Sequence, residues 1–324
     1  MLTEGQLYKN PSYIKIFMGI PAEVFWDLMK KAEENIEYVD QERLERENRK
    51  RAVGGGRKCD LSLVIRVGIV LSYLRLNIAQ EAIAALYGAT QSDVSRQLRQ
   101  ILPLLKVILP TPELWLQIEE GTPLNEEELL ELKQLSDDVV LVDATEQRVN
   151  RPETNDQRQT YYSGKKKQFT IKTQIVTDGE HHIVAITISI PGATSDKKLA
   201  DMVASVDRLP DDCQGKADKG YQGLHKQIAT KSVLNEETGD IEEVPRLTFE
   251  TPHKKPKGGE LSEEQLQFNQ ELGSVRVRVE HCIGWAKNWA ILANRFRCSL
   301  DIYNSILQVV CGLVNLQTYR WQAL

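Results

Sequence analysis

The chain has 324 residues and a net charge of −5, from 41 Lys and Arg against 46 Asp and Glu, and its length predicts more than one domain. Its five cysteines include no CxxC pair, which argues against a disulfide framework or a structural zinc site and favours a reducing cytoplasm. The N-terminus has no signal-peptide pattern, and the most apolar stretches, residues 61–76 and 306–316, are too short or too interrupted by arginine to span a membrane.

The first 58 residues predict a helical lead-in followed by a charged linker. Apolar side chains between Phe17 and Met29 are candidate core positions. Residues 40–58 carry both signs of charge densely, and Gly54, Gly55 and Gly56 interrupt any helix there. Interleaved acids favour a solvated linker; the alternative is a basic arm that lies on phosphates.

Residues 59–110 predict a helix-turn-helix region. An apolar helix with Asp60 as its N-cap comes first, and a short helix, a turn at residues 88–90 and a second helix capped by Ser92 follow. Near the start of that second helix, the outward side chains would meet base edges and phosphates in a major groove. They are Gln91, Ser92, Ser95, Arg96 and Arg99. The alternative is an αα-hairpin within a helical domain.

Residues 111–138 predict an acidic helical connector. Pro103 to Pro112 is expected to end the helical unit before it. Four glutamates between Glu126 and Glu131 make the connector the main source of negative charge, so we expect it to stay away from DNA.

From residue 139 onward, strand patterns alternate with helices, which predicts an α/β fold. The first predicted elements are an apolar strand from Val139 that ends at Asp143 and a hairpin that turns at Asp178 and Gly179. They are followed by a helix over 195–209, a short strand over 213–217 that ends at Asp218, a helix over 222–231 and a possible strand over 246–251. A long helix over 262–297 and a final helix over 301–321 complete the chain. This order is that of an RNase H-like sheet, so residues 139–324 are predicted to form one catalytic domain.

The stretch from Leu272 to Arg297 predicts one long helix with a broad apolar face. Arg276, Glu280 and Lys287 form a separate narrow stripe on it. A carboxylate between two cations suits a site that holds metal and phosphate together. The alternative is an ordinary surface ladder of ion pairs four residues apart.

Three acids are candidate metal ligands: Asp143 and Asp218 at strand ends, and Glu280 on the long helix. Strand ends in an α/β sheet are where ligands bind. Three carboxylates that converged without a cation would repel one another, whereas divalent ions remove that conflict. Two such ions can activate an attacking hydroxyl and stabilise a leaving oxygen. The five histidines show no ligand spacing.

Four segments together resemble the DDE transposases of the bacterial insertion-sequence-five family and their eukaryotic Harbinger relatives: VDATEQRV, YYSGKKKQFTIKTQIV, ADKGYQG and RVRVEHCIGWAK. Residues 60–105 also resemble the helix-turn-helix segment that precedes the catalytic domain in that family. The family's glutamate helix carries a Tyr, Arg, Glu, Lys signature, which Arg276, Glu280 and Lys287 match. Gly273 stands at the tyrosine position, which leaves any role of that tyrosine open.

The resemblance implies that Asp143, Asp218 and Glu280 bind two Mg²⁺ or Mn²⁺ ions and catalyse cleavage at transposon ends, followed by joining of the 3′-hydroxyl to target DNA. Arg276 and Lys287 would hold phosphates of the cleaved strand. The implied partners are double-stranded DNA at both transposon ends and target, and further copies of the chain in a dimer or higher assembly on the bacterial nucleoid, with no membrane.

Some features leave alternatives open. Lys165, Lys166 and Lys167 would grip DNA backbone or form a solvated basic turn. Trp285 and Trp289 would pack on another segment or stack on a flipped base. Two other functions remain: an RNase H-like nuclease that does not join strands, and a domesticated DNA-binding protein that uses the helix-turn-helix alone.

Overall fold

The computed structural model describes residues 1–44, 60–118, 139–234 and 239–322. Most of the predicted charged linker and acidic connector therefore lies outside the described residues. The chain divides into a helical unit, Met1–Thr111 with Ala286–Gln317, and an α/β unit, Pro112–Trp285 with Thr318–Leu324. Most of the last helix thus groups with the helical unit, whereas the sequence placed all of 139–324 in one domain. No helix in the described ranges is both long and apolar enough to cross a membrane.

The helices, in chain order, are α1 (Glu4–Lys9), α2 (Ala22–Leu44), α3 (Leu63–Leu76), α4 (Gln80–Tyr87), α5 (Gln91–Ile108), α6 (Asn155–Tyr161), α7 (Asp196–Met202), α8 (Glu263–Lys287), α9 (Ala290–Ala293) and α10 (Tyr303–Gln322). The strands are β1 (Glu113–Trp115), β2 (Val139–Arg148), β3 (Tyr162–Ser163), β4 (Gln168–Asp178), β5 (Ile183–Thr187), β6 (Ile190–Pro191), β7 (Gln214–Ala217), β8 (Thr230–Leu234), β9 (Ile241–Pro245) and β10 (Thr248–Glu250).

Helix α3 is the centre of the helical unit. Ten of its eleven residues from Val64 to Leu74 are buried, so nearly all sides of the helix are covered by protein. The side chain of Ser62 caps it by accepting a hydrogen bond from Ile65 N. The predicted cap, Asp60, lies two residues too early and is exposed.

Helices α4 and α5 are joined by a tight turn in which Gly88 adopts a left-handed conformation, φ 67°. Thr90, and not Ser92, is the N-cap of α5: its side chain accepts from Asp93 N, and the Asp93 carboxylate accepts from Thr90 N at 3.0 Å, a complete capping box. Helix α5 also continues through Pro103, where the sequence predicted its end. Burial of Leu104, Leu105 and Ile108 beyond the proline offsets the lost backbone hydrogen bond.

The α/β unit is built on one mixed sheet, in the strand order β1-β5-β4-β2-β7-β10. Strands β5, β4 and β2 pair antiparallel, so the predicted hairpin at Asp178 is confirmed, and β2, β7 and β10 pair parallel. The helix α7 side of the sheet carries the apolar core, which includes Trp115, Val142 and Ala217. A mixed sheet with helices fits an RNase H-like DDE domain.

Three predicted elements of this unit have different bounds. Strand β2 does not end at Asp143 but runs to Arg148, because its polar second half still pairs with β4 as far as Thr170. The predicted helix over 222–231 is wrong: two 3₁₀ turns precede the exposed β8–β9 hairpin. Helix α7 spans only Asp196–Met202 of the predicted 195–209.

Helix α8 begins at Glu263, within one residue of the predicted start at 262, and ends at Lys287 instead of Arg297. The reason for the early end is Trp289, whose extended backbone (φ −84°, ψ 112°) breaks the helix and starts α9. Trp289 is 3% exposed, so its burial fixes the turn of the chain at this point.

Candidate active site

Asp143 and Asp218 are brought together by parallel pairing of β2 with β7. The last paired residues are Val142 and Ala217, and each aspartate is the residue that follows. The pairing therefore brings the two aspartates to the same point of the sheet, where the charge of Asp218 acts on Asp143. Asp143 lies within β2, at the point where the parallel pairing ends, and Asp218 opens the turn after β7.

The electrostatics of Asp143 link it to both other predicted ligands. The pKa of Asp143 is raised to about 6, mainly by burial, and the charges of Asp218 and Glu280 act in the same direction. A hydrogen bond from Ala144 N at 2.8 Å and the charge of Arg276 act in the opposite direction. A carboxyl group with a pKa raised by two neighbouring carboxylates is a place where a cation is favoured.

Glu280 and Arg276 approach this pair from helix α8. Their side chains, four residues apart on the helix, form an ion pair of 3.6 Å. The alternative prediction, an ion pair between residues four apart on the helix surface, is therefore partly correct. The Glu280 side chain is 55% exposed, whereas that of Arg276 is 14% exposed. In the described part of the chain, Arg276 Nε is buried and has no hydrogen-bond partner, so the guanidinium retains a donor for an anion.

The residues of this site fit a hard divalent cation, since the donors are carboxylate oxygens and Asp143 already carries excess negative potential. Within the described ranges, however, no three His, Cys, Asp or Glu side chains are close enough together to form a metal-binding group. The three acids therefore interact electrostatically without forming a closed cage. Glu280, exposed and paired to Arg276, is the ligand that would have to move.

The other two members of the predicted helix signature differ in their surroundings. Lys287 is exposed in the last turn of α8 and belongs to the helical unit. A Cβ added at Gly273 would meet no atom within 4 Å, so crowding does not explain the glycine at the family's tyrosine position.

Sequence reasoning missed a set of polar residues on the core side of the same strands. Lys172 in the middle of β4 contacts Asp196 at 2.7 Å and Glu146 at 3.8 Å, and all three side chains are largely buried. Tyr221 is fully buried; burial raises its pKa well above the ordinary value, and the charges of Asp196, Asp143 and Asp218 act in the same direction. A lysine within the apolar strand FTIKTQIV was the available signal.

The predicted basic turn is formed by residues 164–167 between β3 and β4. Lys165, Lys166 and Lys167 are all exposed there, and Lys167 adopts a left-handed conformation with φ 52°. Backbone N–H groups of Lys166 and Lys167 donate to Ser163, which fixes the turn. The side chains are thus available to an anion, and their role in DNA binding stays a prediction.

In the helical unit, the predicted base-reading residues fall into two groups. Ser92 and Arg96 are exposed, and Arg96 donates to Asp93 at 2.8 Å. Gln91 and Arg99, which are also exposed, and the half-buried Ser95 line a cleft of about 310 Å³, which residues 297–302 also line. A hydrogen bond from Ser299 lowers the pKa of Asp301 in this cleft, and the charge of Arg99 contributes.

The two tryptophans of the predicted helix pack differently. Trp289 is buried in the helical unit, with the guanidinium of Arg75 at 6.0 Å from its ring centre. Trp285 is half-buried in the α/β unit, where its ring lies 5.4 Å from His181 and 6.2 Å from His281. Of the two predicted roles, packing on another segment is therefore the one that fits Trp289.

A mixed α/β sheet that brings two aspartates together where the parallel pairing of two strands ends, beside a helix-borne glutamate, is typical of a class of phosphodiester-cleaving domains. The sequence matches the family described as DDE superfamily endonuclease over residues 142–315, more than half of the chain, and the chain belongs to this family. It is also similar to the probable transposase for insertion sequence element IS702 of Microchaete diplosiphon, with 27% identity over 266 residues that cover 81% of this chain and 83% of the relative. No solved structure matches the chain significantly.

Proposed function

We propose that the chain is a DDE transposase that cleaves DNA at the ends of its element and joins the freed 3′-hydroxyl to target DNA. The observation that carries the proposal is that Asp143 and Asp218 both follow the last paired residues of β2 and β7, with the charges of Asp218 and Glu280 acting on Asp143. Membership of the DDE superfamily endonucleases and similarity to a probable transposase support it. Assignment to the insertion-sequence-five and Harbinger group is part of this proposal.

Asp143, Asp218 and Glu280 would hold two Mg²⁺ or Mn²⁺ ions. When bound, such a pair supplies an activated hydroxyl and stabilises the leaving oxygen of the phosphodiester. Asp143 would keep its carboxylate ionised and oriented for this purpose through the hydrogen bond from Ala144 N. Glu280 would turn from Arg276 towards the aspartates.

Basic residues of the chain would hold the DNA. Arg276, whose Nε is buried without a hydrogen-bond partner in the described part of the chain, would donate to a phosphate beside the scissile bond once Glu280 has turned away. Lys287 would contact the same strand further along. The exposed Lys165, Lys166 and Lys167 would contact backbone phosphates and so position the duplex without reading its sequence.

Recognition of the terminal inverted repeats would belong to α4 and α5. Two helices joined by a tight turn at Gly88, with exposed Ser92 and Arg96 in the first turns of α5, support a helix-turn-helix reader. Binding of Gln91, Ser95 and Arg99 to DNA would use the cleft that they line. The protein would act as a homodimer or higher assembly on DNA.

The decisive experiment incubates the full chain with a labelled candidate end and a supercoiled target plasmid, with and without Mg²⁺. Metal-dependent nicking followed by covalent transfer of the label to the plasmid is the expected result. Nicking without transfer would identify a nuclease instead, and end binding without nicking in Mg²⁺ or Mn²⁺ would contradict the enzymatic proposal.

A further inference from the structure

Behind the candidate active site lies a buried acid–lysine cluster, formed by Glu146, Lys172 and Asp196. Glu146 and Lys172 are directly opposite each other on β2 and β4. Lys172 Nζ donates to Asp196 Oδ1 at 2.7 Å and to the carbonyl oxygen of Thr194 at 2.6 Å, and lies 3.8 Å from Glu146 Oε1. The side chains of Glu146, Lys172 and Asp196 are 7%, 8% and 19% exposed.

This cluster fixes the position of Asp196 more than it stabilises the fold. Two carboxylates share one ammonium group out of water, and the cost of removing three charges from solvent largely offsets their attraction. Glu146 is held in turn by the hydroxyl of Thr170, which donates to its Oε2 at 2.7 Å. Lys172 therefore joins Glu146 on β2 to Asp196 at the start of α7.

The second carboxylate oxygen of Asp196, Oδ2, reaches the turn that carries Asp218. A Cβ built on Gly220 would lie 2.6 Å from Asp196 Oδ2 and 2.8 Å from Asp218 Oδ1, so the two carboxylates flank this glycine. Asp218 caps the turn by accepting from Gly220 N. The next residue, Tyr221, is fully buried and closes the turn against the core.

We propose that Asp196, held by Lys172 and Glu146, is a positioning residue that fixes the turn at Gly220 and thereby the direction in which the Asp218 carboxylate faces Asp143. Asp196 itself would not contact the substrate. The inference rests on the proposed function, because it assigns the cluster a part in the same site.

The test compares three variants of the full chain with two matched controls. Asp196→Ala removes the positioning carboxylate, Asp196→Asn keeps an oxygen for Lys172, and Gly220→Ala forces the flanking carboxylates apart. Gly284→Ala is the control for the glycine change, since its Cβ would meet nothing within 4 Å. Arg208→Met is the control for losing a buried cation of the same unit, as its side chain is 2% exposed.

Three quantities are measured: the Mn²⁺ concentration that gives half of the Mn²⁺-induced rise in melting temperature, the single-turnover cleavage rate, and end binding in EDTA. For Asp196→Ala and Gly220→Ala we expect a rise of the Mn²⁺ midpoint and a fall of the rate, each by about 10- to 100-fold, with unchanged end binding. Asp196→Asn should recover part of both losses. The controls should keep the wild-type midpoint even where their melting temperature falls.

Wild-type midpoints and rates in Asp196→Ala and Gly220→Ala, with an active wild-type chain, would overturn the positioning role and leave the transposase proposal intact. An equal shift of the Mn²⁺ midpoint in Arg208→Met would also overturn the positioning role of Asp196, because the loss of any buried charge would then shift the midpoint. If Asp196→Ala does not fold, Asp196→Asn decides, since a wild-type midpoint and rate in that variant would also overturn the positioning role. If the wild-type chain responds to Mn²⁺ but cleaves nothing, the transposase proposal fails while the midpoints still decide the positioning role.

Discussion

Val142 and Ala217 face each other as the last paired residues of β2 and β7, and an aspartate follows each of them. The pairing is parallel, so both strands run in the same direction; β7 ends at Ala217, whereas β2 continues to Arg148 along β4. Burial raises the pKa of Asp143, and the charge of the neighbouring Asp218 acts in the same direction. The parallel pairing of β2 with β7 thus brings two separate sequence motifs, VDATEQRV and ADKGYQG, into one candidate site.

Conservative changes of the three acids should remove catalysis without removing DNA binding. In Asp143→Asn, Asp218→Asn and Glu280→Gln, the loss of one anionic oxygen donor weakens metal binding while the basic residues stay in place, so we expect cleavage to fall by at least about 1,000-fold. Labelled-end cleavage and gel-shift binding measure the two properties. Glu264→Gln, an exposed acid in the first turn of α8, is the control and should cleave normally. Cleavage that survives in one of the three would exclude that residue from the site.

The stability of the metal-free protein should fall as pH rises through the range where Asp143 ionises. Its folded pKa of about 6 lies above the ordinary value of 3.8, so the folded state binds more protons than the unfolded state between these values. The free energy of unfolding should therefore decrease from about pH 4 to about pH 7 by up to roughly 3 kcal/mol from this group.

Urea unfolding of the wild type and of Asp143→Asn in EDTA at several pH values measures this contribution as a difference, which cancels the other titrating groups. The wild type should lose stability relative to the variant as pH rises, and Mg²⁺ should reverse the loss at neutral pH. A constant difference in the free energy of unfolding between the wild type and Asp143→Asn from about pH 4 to about pH 7 would contradict the raised pKa of Asp143.

The start of α5 should depend on Thr90 and not on Ser92. Thr90→Ala removes the side-chain acceptor for Asp93 N and should lower the free energy of unfolding by about 1 kcal/mol. Ser92→Ala should change it by less than about 0.5 kcal/mol, because the side chain lies exposed in the first turn. Urea denaturation of both variants distinguishes the two, and a larger loss in Ser92→Ala would place the cap where the sequence alone predicted it.

Arg96 should contribute sequence-specific affinity if α5 enters a major groove. Its side chain is 53% exposed, so Arg96→Ala should leave stability nearly unchanged. We expect it to weaken binding to the element's own end by about 1–3 kcal/mol and binding to random DNA much less. Competition binding at two salt concentrations measures both, with Lys106→Ala near the end of α5 as the control. An equal loss on both DNAs would make Arg96 a phosphate contact.

Much of the architecture could be predicted because it depends on local patterns. Apolar periodicity and turn residues located the hairpin at Asp178, the strand before Asp218 and the existence of α4, α5 and α8. The three acids were found because each stands in a recognisable motif. The resemblance carried by these motifs predicted the DDE family that the comparison over residues 142–315 establishes.

The tertiary structure alone decided how far the elements extend and what supports the site. Strand β2 continues past Asp143 because β4 offers hydrogen-bond partners to its polar half, and α8 stops at Lys287 because Trp289 is buried. Lys172 and Asp196 are 24 residues apart in the chain, yet their side chains meet at 2.7 Å. No local pattern encodes such a contact, since it exists only after the strands have paired and α7 has packed on the sheet.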